Sequence, residues 1–386
     1  MGQKYKLNDL AYRKLEYGSG AAATEYDGSV RYIRISDIDE NGKLNDTVVS
    51  PSVYDDKYTL KDGDILFART GATVGKTYRF KETDGNFIFA GFLIRFSPNT
   101  SLVLPDYVYY FTKSPQYRQF VLRNMKVVAQ PNINAKQYGD LEFYVHSLKE
   151  QGCIVDKLIK IERLIDLRKE QLELLDNLIK SRFVEMFGDQ KSNPMKWDKG
   201  TIRDIVTEVK YGTSKPAVEG GKYKYLRMNN ITFEGELNLS SLKYIDIPEN
   251  EYEKCVVRKG DVMFNRTNSK ELVGKTCVFN QDEEMIIAGY IIRVRTNEKA
   301  LPEYLSALLN SKYGKETLYG MCKAIVGQAN INAQELQDIG ILIPPVAFQQ
   351  TFVAFKEQVD KLKVEVQNSL REAQLLFDSL MQKYFG

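Results

Sequence analysis

Two long stretches of the chain repeat apolar residues at alternating spacings of three and four. In the first, over residues 150–187, the repeating apolar positions are Ile154, Leu158, Ile161, Ile165, Leu172 and Leu175. In the second, from residue 352 onward, they are Val359, Leu362, Val366, Ala373, Leu376 and Leu380. Each seam also has one polar position, which is Arg168 in the first stretch and Ser369 in the second. Apolar heptads sustained for about four repeats are typical of a coiled coil.

We therefore predict two long helices that pair with each other in antiparallel fashion. The alternative is that each stretch is an amphipathic helix lying on its own domain. Two seams of similar length in one chain favour mutual pairing, because an ordinary helix of a soluble protein is much shorter. The start of the first helix is indicated by Ser147 and Glu150, which form a capping-box pattern.

The rest of the chain is one module written twice. Six sequence blocks of the first half recur in the same order in the second, at an offset of roughly 200 residues, which is too long for a solenoid repeat. The matching blocks are residues 31–38 with 224–231, 62–70 with 259–267, 74–77 with 273–276, 90–95 with 288–293, 104–107 with 301–304, and 130–135 with 328–333. We infer two related domains.

Each copy predicts a domain of mixed helices and strands. Alternating apolar and polar residues indicate strands, for example at 32–36 and 87–96, and a helix is expected after each Leu-Pro pair, over about residues 106–124 and 303–321. The predicted fold class is α+β. It has tandem α/β domains at residues 1–148 and 190–346, separated by the two long helices at residues 149–189 and 347–386, which pair as an antiparallel coiled coil.

Composition argues against several classes of protein. No run of about 18 apolar residues occurs, so no membrane span is expected. The cysteines form no CxxC pair and the only histidine is His146, which argues against a disulfide framework or a zinc site and favours a reduced, cytoplasmic setting. The formal net charge of +3 is only mildly basic, so binding to nucleic acid would require positive charge gathered on one face.

Two glycine-rich segments look like nucleotide-binding motifs but lack a necessary part. Residues 71–77 have three residues between their glycines where the P-loop needs four, and the second copy lacks the first glycine. Residues 18–23 match a loose dinucleotide pattern without the buried strand that should precede it. We find no catalytic constellation, which favours a binding or scaffold protein. An enzyme that binds nucleotides through the Val-Gly-Lys-Thr segments is kept as an alternative.

The ordered duplication with its two long helices resembles the specificity subunit of type I restriction-modification enzymes. The resemblance is carried by residues 63–70 and their second-copy match, by the Val-Gly-Lys-Thr segments and by the Gln-x-Asn-Ile-Asn blocks, and it spans essentially the whole chain. One departure is that the two long helices share pattern more than sequence, whereas the family's helices are often close copies.

The resemblance implies a non-catalytic, DNA-binding subunit with two target-recognition domains that read an asymmetric two-part site in double-stranded DNA. The chain would join two adenine-N6 methyltransferase (modification) subunits and would also bind restriction (motor-nuclease) subunits. S-adenosylmethionine, ATP and Mg²⁺ would bind those partners, and this chain would hold no cofactor. The alternative is a two-domain adaptor that binds protein or RNA and has no restriction role.

Candidate DNA contacts fall into two groups. Arginine can bond guanine through two N–H groups, and lysine suits phosphates. The candidates at matched positions are Arg69, Thr70, Lys76, Arg266, Thr267 and Lys275, the two lysines being placed at loop tips. The candidates from the second copy are Tyr211, Lys215, Asn268, Ser269 and Lys270. Shared residues cannot explain different half-sites, so we expect base specificity where the copies differ.

Two of these assignments have structural alternatives. Arg69 and Arg266 could instead hold the matched carboxylates Asp64 and Asp261. The asparagines of the Asn-Ile-Asn blocks are better explained as turns that satisfy backbone groups.

The length of the paired helices should set the gap between the two half-sites. About 38 residues at 1.5 Å each span about 57 Å, which corresponds to about one and a half turns of DNA. We predict that adding or removing one heptad in both helices alters the number of unread base pairs, measured by mapping methylated adenines. An unchanged gap would remove the helices from this role.

Overall fold

The protein, described by a computed structural model over residues 2–125, 131–322 and 329–386, forms two compact units. The first comprises Met1–Lys169 with Asn368–Gly386, and the second comprises Glu170–Gln367. Gln130 and Gln328, which open the last pair of matching blocks, lie outside the described residues. Within the described ranges, no helix has both the length and the apolar character that crossing a membrane requires.

The first unit is built on short strands. Their bounds are β1 (Gln3–Lys6), β2 (Glu16–Tyr17), β3 (Ala23–Glu25), β4 (Arg31–Ile33), β5 (Val49–Pro51), β6 (Ile65–Ala68), β7 (Thr77–Arg79), β8 (Phe87–Phe89), β9 (Leu93–Phe96) and β10 (Glu142–Val145). The central sheet has the order β2-β9-β6-β7 and is antiparallel. Strand β4 pairs in parallel with β8, and β1 pairs antiparallel with β10. Every residue of β6 and β9 is buried, so these strands lie at the core.

The second unit repeats this topology. Its strands are β11 (Asp198–Thr201), β12 (Val206–Tyr211), β13 (Tyr223–Leu226), β14 (Lys243–Ile245), β15 (Val256–Val257), β16 (Val262–Asn265), β17 (Thr267–Asn268), β18 (Thr276–Val278), β19 (Met285–Ile287), β20 (Ile291–Thr296), β21 (Ala329–Asn330) and β22 (Gly340–Ile343). The central sheet has the order β12-β20-β16-β18, β13 is parallel to β19, and β11 is antiparallel to β22. The sequence duplication is therefore also a duplication of topology, as the predicted fold class requires.

The helices of the described residues include two of 40 residues each. In chain order they are α1 (Pro105–Phe111), α2 (Pro115–Met125), α3 (Ala135–Gly139), α4 (Leu148–Phe187), α5 (Glu249–Cys255), α6 (Pro302–Asn310), α7 (Lys312–Met321), α8 (Ala333–Gln337) and α9 (Val346–Phe385). The long helices α4 and α9 contribute residues to both units.

The single helix predicted after each Leu-Pro pair is wrong, because each is two helices. In the first unit the chain restarts at Pro115, which has no N–H to give to a preceding turn, and Ser114 Oγ accepts from Tyr117 N at 3.2 Å. In the second unit Ser311 performs the same capping, with its Oγ accepting from Gly314 N at 3.2 Å. Both breaks fold the second helix back onto its domain.

Within the first unit, α4 and α9 run antiparallel. Arg168 Nε donates to Ser369 Oγ at 3.1 Å, so the two polar positions predicted in the seams face each other. Leu158 precedes Arg168 on α4 and shares a core cluster with Met381 and Phe385, which follow Ser369 on α9. Residue numbers therefore fall on one helix as they rise on the other.

The same direction holds within the second unit. Lys363 Nζ of α9 lies 2.6 Å from Asp176 Oδ1 of α4, and the rings of Phe183 and Phe352 are 5.5 Å apart. The ammonium of Lys363 also contacts the carboxylate of Glu236, which belongs to a hairpin of the same unit. One buried lysine thus joins both helices to the domain.

The predicted seam is one residue out at two positions of α9. On α4, the predicted positions Ile154, Leu158, Ile161, Ile165, Leu172 and Leu175 are all buried or partly buried. On α9 this holds for Val359, Val366, Ala373 and Leu380. Leu362 and Leu376 are each 50% exposed, and Lys363 and Phe377 are turned inward in their place. Residues three and four apart lie on the same helix face, so the spacing alone does not separate position 362 from position 363. A pattern of apolar residues also cannot predict Lys363, because the burial of this lysine depends on an ion pair.

A buried glutamine ties each long helix to its domain. Gln151 is fully buried; its Oε1 accepts from Leu104 N at 2.8 Å, and its Nε2 donates to Leu102 O at 3.0 Å and His146 O at 2.8 Å. Gln349 makes the matching bonds with Leu301 N, Lys299 O and Pro344 O. This pair was not predicted from the sequence, although each glutamine lies in the first turn of its helix.

We predict that Gln349→Leu destabilises the second unit by about 2 kcal/mol or more, because one N–H and two carbonyl groups lose their partner at a buried place. Urea unfolding followed by the fluorescence of Trp197, the only tryptophan, reports on this unit. Gln358→Leu, at an exposed position of the same helix, is the control. Equal unfolding midpoints for both variants would contradict the role assigned to Gln349.

Candidate nucleic-acid interface

Each unit places an arginine on a tyrosine ring at the end of its central sheet. Arg69 follows β6, and its guanidinium carbon lies 4.7 Å from the centre of the Tyr17 ring at the end of β2. Arg266 follows β16 and lies 4.8 Å from the ring of Tyr211 at the end of β12. The ring attracts the cation face-on, which leaves N–H groups at the edge of the guanidinium to bind a ligand.

Backbone contacts fix the two tyrosines. Tyr17 Oη accepts from Ala135 N at 3.1 Å, and Tyr211 Oη accepts from Ala333 N at 2.8 Å. These amides are the first of α3 and α8, where a helix leaves N–H groups without an internal partner. Each ring is therefore held by its hydroxyl at one end and by its strand at the other.

An asparagine of the Asn-Ile-Asn block lies beside each stacked pair, with a different hydrogen-bond partner in each unit. Arg69 Nε donates to Asn132 Oδ1 at 3.3 Å, whereas in the second unit Thr267 Oγ1 donates to Asn330 Oδ1 at 2.8 Å. We call Tyr17, Arg69 and Asn132 the first cluster, and Tyr211, Arg266 and Asn330 the second cluster. The second asparagines of the Asn-Ile-Asn blocks agree with the turn interpretation, because Asn134 and Asn332 cap α3 and α8.

A glycine after each tyrosine allows close approach of two backbones. A Cβ at Gly18 would lie 2.3 Å from Phe89 O, and one at Gly212 would lie 2.1 Å from Ile287 O. No side chain fits at such distances. The glycine pattern that loosely matches a dinucleotide motif is thus a turn packed edge-on against β8, and its second-copy counterpart packs in the same way against β19.

The second cluster borders an open cleft of about 550 Å³. Its lining includes Tyr211, Arg266, Lys215, Glu251 and Lys254. Lys215 Nζ lies 2.9 Å from Glu251 Oε1, and the two side chains are 38% and 39% exposed. The structure therefore brings three of the predicted second-copy residues together, with a carboxylate that the sequence analysis did not single out.

The threonines and the differing loop lie beside the clusters. Thr70 is bridged to Asn132, and Thr267 and Asn268 form the short strand β17, which pairs with β21. Asn268 Nδ2 donates to Asn265 Oδ1 at 3.1 Å, and Asn268 Oδ1 accepts from Ser269 N at 2.9 Å. Thr267 and Asn268 thus belong to a paired strand, while Ser269 begins the turn that follows it.

Lys270 lies beyond that strand. Its ammonium is 4.1 Å from the centre of the Tyr319 ring, on α7, and its side chain is partly exposed. A cation held on an aromatic ring at the surface can still meet a phosphate.

The prediction that Lys76 and Lys275 lie at loop tips is wrong. Lys275 is 8% exposed, and its Nζ donates to Met228 O at 2.8 Å. Lys76 Nζ donates to Ile38 O at 3.3 Å and pairs with Glu40 at 2.9 Å. Both lysines therefore fold back onto a backbone carbonyl far earlier in the chain, 38 residues before Lys76 and 47 residues before Lys275.

Burial also lowers the pKa of two lysines of the second unit, Lys275 and Lys315. Burial lowers the pKa of Lys275, and burial together with the nearby charge of Lys275 lowers the pKa of Lys315 to about 8. Lys315 Nζ donates to Gly274 O at 3.3 Å. Two cations crowded into one interior region serve the fold of the domain and are poorly placed to attract phosphates.

The structural alternative for Arg69 and Arg266 is also wrong. Asp261 is paired with Arg295 at 2.8 Å, and Asp64 lies 3.9 Å from the buried Arg95. The two carboxylates therefore face arginines of β9 and β20, which are Arg95 and Arg295. Burial raises the pKa of Asp64, which also accepts from Ser97 Oγ at 2.6 Å.

Tyr17 was not among the predicted DNA contacts, although the sequence contains a signal for it. Tyr17-Gly18 and Tyr211-Gly212 stand at matched places before the first strongly matching block, and only the second was selected. Across the ranges that the structure describes, no group of three or more His, Cys, Asp or Glu side chains is placed to hold a metal ion.

Comparison with known proteins gives a consistent result. The family model described as the type I restriction modification DNA specificity domain matches residues 3–177 and again residues 194–375. The EcoKI specificity subunit of the type I restriction enzyme from Escherichia coli K12 is 24% identical over 379 residues, covering 92% of this chain and 81% of that protein. The StySPI specificity subunit from Salmonella potsdam is 22% identical over 378 residues, with the same coverage.

Solved structures share the fold. A chain from a study of complex assembly and conformational transition of a type I R-M system matches with a TM-score of 0.61 and 18% identity, covering 100% of this chain and 97% of that chain. The type I restriction-modification S subunit from M. genitalium matches with a TM-score of 0.58 and 15% identity, covering 100% of this chain and 96% of that chain.

Proposed function

The chain belongs to the family of type I restriction modification DNA specificity domains, and on that premise we propose that its two Tyr–Arg–Asn clusters contact DNA. It is a specificity subunit, which recognises DNA for a type I restriction-modification system and is itself non-catalytic. Such subunits assemble with modification and restriction subunits. The observation that carries the proposal is the recurrence of one arginine–tyrosine stack, at 4.7 and 4.8 Å, in both domains.

The chemistry of the clusters suits a DNA duplex. A stacked guanidinium presents a planar set of donors that matches phosphate oxygens or the O6 and N7 atoms of guanine. Tyr17 is 42% exposed, so its edge remains available to a ligand. Because the clusters are shared between the domains, we assign them to binding strength and orientation rather than to the choice of sequence.

We further propose that the two half-sites differ. The shared clusters sit beside residues that differ between the copies, such as the Ser269–Lys270 turn and the cleft of the second unit. Each domain would then read one half-site, and the complete site would be asymmetric and in two parts. The rival proposal, an adaptor for protein or RNA, is not favoured by the family of the chain.

The proposal extends to partners and cofactors. Two domains of the same topology offer two equivalent platforms, which supports one modification subunit on each. S-adenosylmethionine, ATP and Mg²⁺ are assigned to the partner subunits, where methyl transfer and DNA translocation take place. The modification subunits would flip the target adenine, because a stacked base is out of reach of the chemistry.

We predict that Arg266→Ala weakens DNA binding by the complex with modification subunits by about 5- to 150-fold, the value of one good arginine contact. Arg266→Lys should recover part of that loss, since it keeps the charge but not the planar fork. The measurement is a titration of fluorescent duplex at fixed salt.

Arg203→Ala is the matched control, because Arg203 is an exposed arginine of the same unit that is paired with Asp338. Unchanged affinity for Arg266→Ala and Arg69→Ala together would exclude the clusters as DNA contacts.

The function itself is tested by mapping N6-methyladenine in cells with and without this chain. We expect methylation of a two-part motif that disappears when the chain is deleted, and co-purification of the chain with a DNA adenine methyltransferase. An identical methylation map in both strains, with no methyltransferase bound, would overturn the proposed function.

A further inference from the structure

The turn that follows each cluster tyrosine is held by a second, buried tyrosine. The hydroxyl of Tyr32 lies 2.8 Å from Ser19 O and 2.9 Å from Ala21 O. In the second unit the hydroxyl of Tyr225 lies 3.3 Å and 3.1 Å from the carbonyl oxygens at the matched positions, those of Thr213 and Lys215. One phenol thus clamps alternate carbonyls of each turn.

The strand beneath each turn holds it in the same way in both units. Ser19 N donates to Phe89 O at 2.8 Å, and Gly91 N donates to Ser19 O at 2.7 Å. Thr213 N donates to Ile287 O at 2.9 Å, and Gly289 N donates to Thr213 O at 2.7 Å. The backbones of the two turns are therefore held in the same way, by four matched contacts in each unit.

On this common backbone the side chain at the end of the turn differs. It is Ala21 in the first unit and Lys215 in the second. The ammonium of Lys215 points into the cleft lined by Arg266 and Tyr211, where it meets Glu251 of α5. In the first unit the chain between β5 and β6 has only a short 3₁₀ turn, Asp56–Tyr58, at the place in the sequence where the second unit has α5.

We propose that the residue at the end of this turn, Ala21 in the first unit and Lys215 in the second, lies against a base of the bound DNA. In the second half-site, Lys215 and Glu251 together recognise a G·C pair. This inference rests on the proposed function. The ammonium can donate to guanine O6 and N7, while the carboxylate can accept from the amino group of cytosine, so the pair offers the donor and acceptor that one G·C pair requires in the major groove.

The presence of Glu251 separates base reading from phosphate binding. A carboxylate 2.9 Å from the ammonium would be repelled by a phosphate at the same place, whereas it is satisfied by the edge of a base pair. The ion pair is also weakly held, because both side chains are more than a third exposed, and its groups can exchange partners when DNA arrives. Ala21 offers no such donor, so the first half-site has no matching G·C requirement.

The test is the sequence preference of the full chain assembled with its modification subunits, measured by selection from duplexes randomised at both half-sites. Lys215→Ala should reduce the preference for G·C at one position of the second half-site by about tenfold, and Glu251→Gln should relax the same position. Ala21→Lys should create a new preference for guanine in the first half-site. The control, Lys199→Ala, changes an exposed lysine that does not line the cleft.

For each variant, an unchanged sequence preference at the other half-site shows that the protein is folded and assembled. If Lys215→Ala weakens binding equally for all sequences, the lysine binds a phosphate and the proposal is overturned. If Lys215→Ala and Glu251→Gln leave every position unchanged while the native complex selects a two-part site, the proposal fails and the proposed function stands. A native complex that selects no sequence would overturn the proposed function instead.

Discussion

The stacking of Arg69 on Tyr17, and of Arg266 on Tyr211, is the contact on which the proposed interface depends. It is possible only because each tyrosine ends a strand of the central sheet, bonds the first amide of a short helix through its hydroxyl, and is followed by a glycine that lets two backbones approach. The rest of each domain keeps these parts in register. The two domains share the backbone of the turn after each tyrosine and differ in the side chains that it carries, as Ala21 and Lys215 illustrate.

Much of this architecture could be predicted from the sequence. The ordered blocks predicted two related domains, and strands β6 and β16 lie within the matched blocks that contain Arg69 and Arg266. The heptads predicted two long helices, and the polar seam positions Arg168 and Ser369 bond each other. These features depend on local periodicity or on repetition, and both are visible in one dimension.

The features that could not be predicted from the sequence depend on contacts between residues far apart in the chain. Lys363 occupies a seam position because Asp176 and Glu236 neutralise its charge. The apolar pattern therefore predicted the neighbouring Leu362 at that position. Lys275 is conspicuous in its Val-Gly-Lys-Thr segment, yet its ammonium donates a hydrogen bond to a carbonyl 47 residues earlier in the chain. Gln349 resembles an ordinary surface residue of a first helical turn until its three partners are placed around it.

The most direct test of the two clusters is photocrosslinking of the assembled complex to its DNA site with 5-iodouracil in place of individual thymines. The account predicts crosslinks to peptides that contain Tyr17 or Tyr211, one from each half-site, and their loss when the arginine stacked on that tyrosine is changed. Crosslinks confined to other strands of the two domains, with full binding retained, would contradict the assignment of the clusters to DNA.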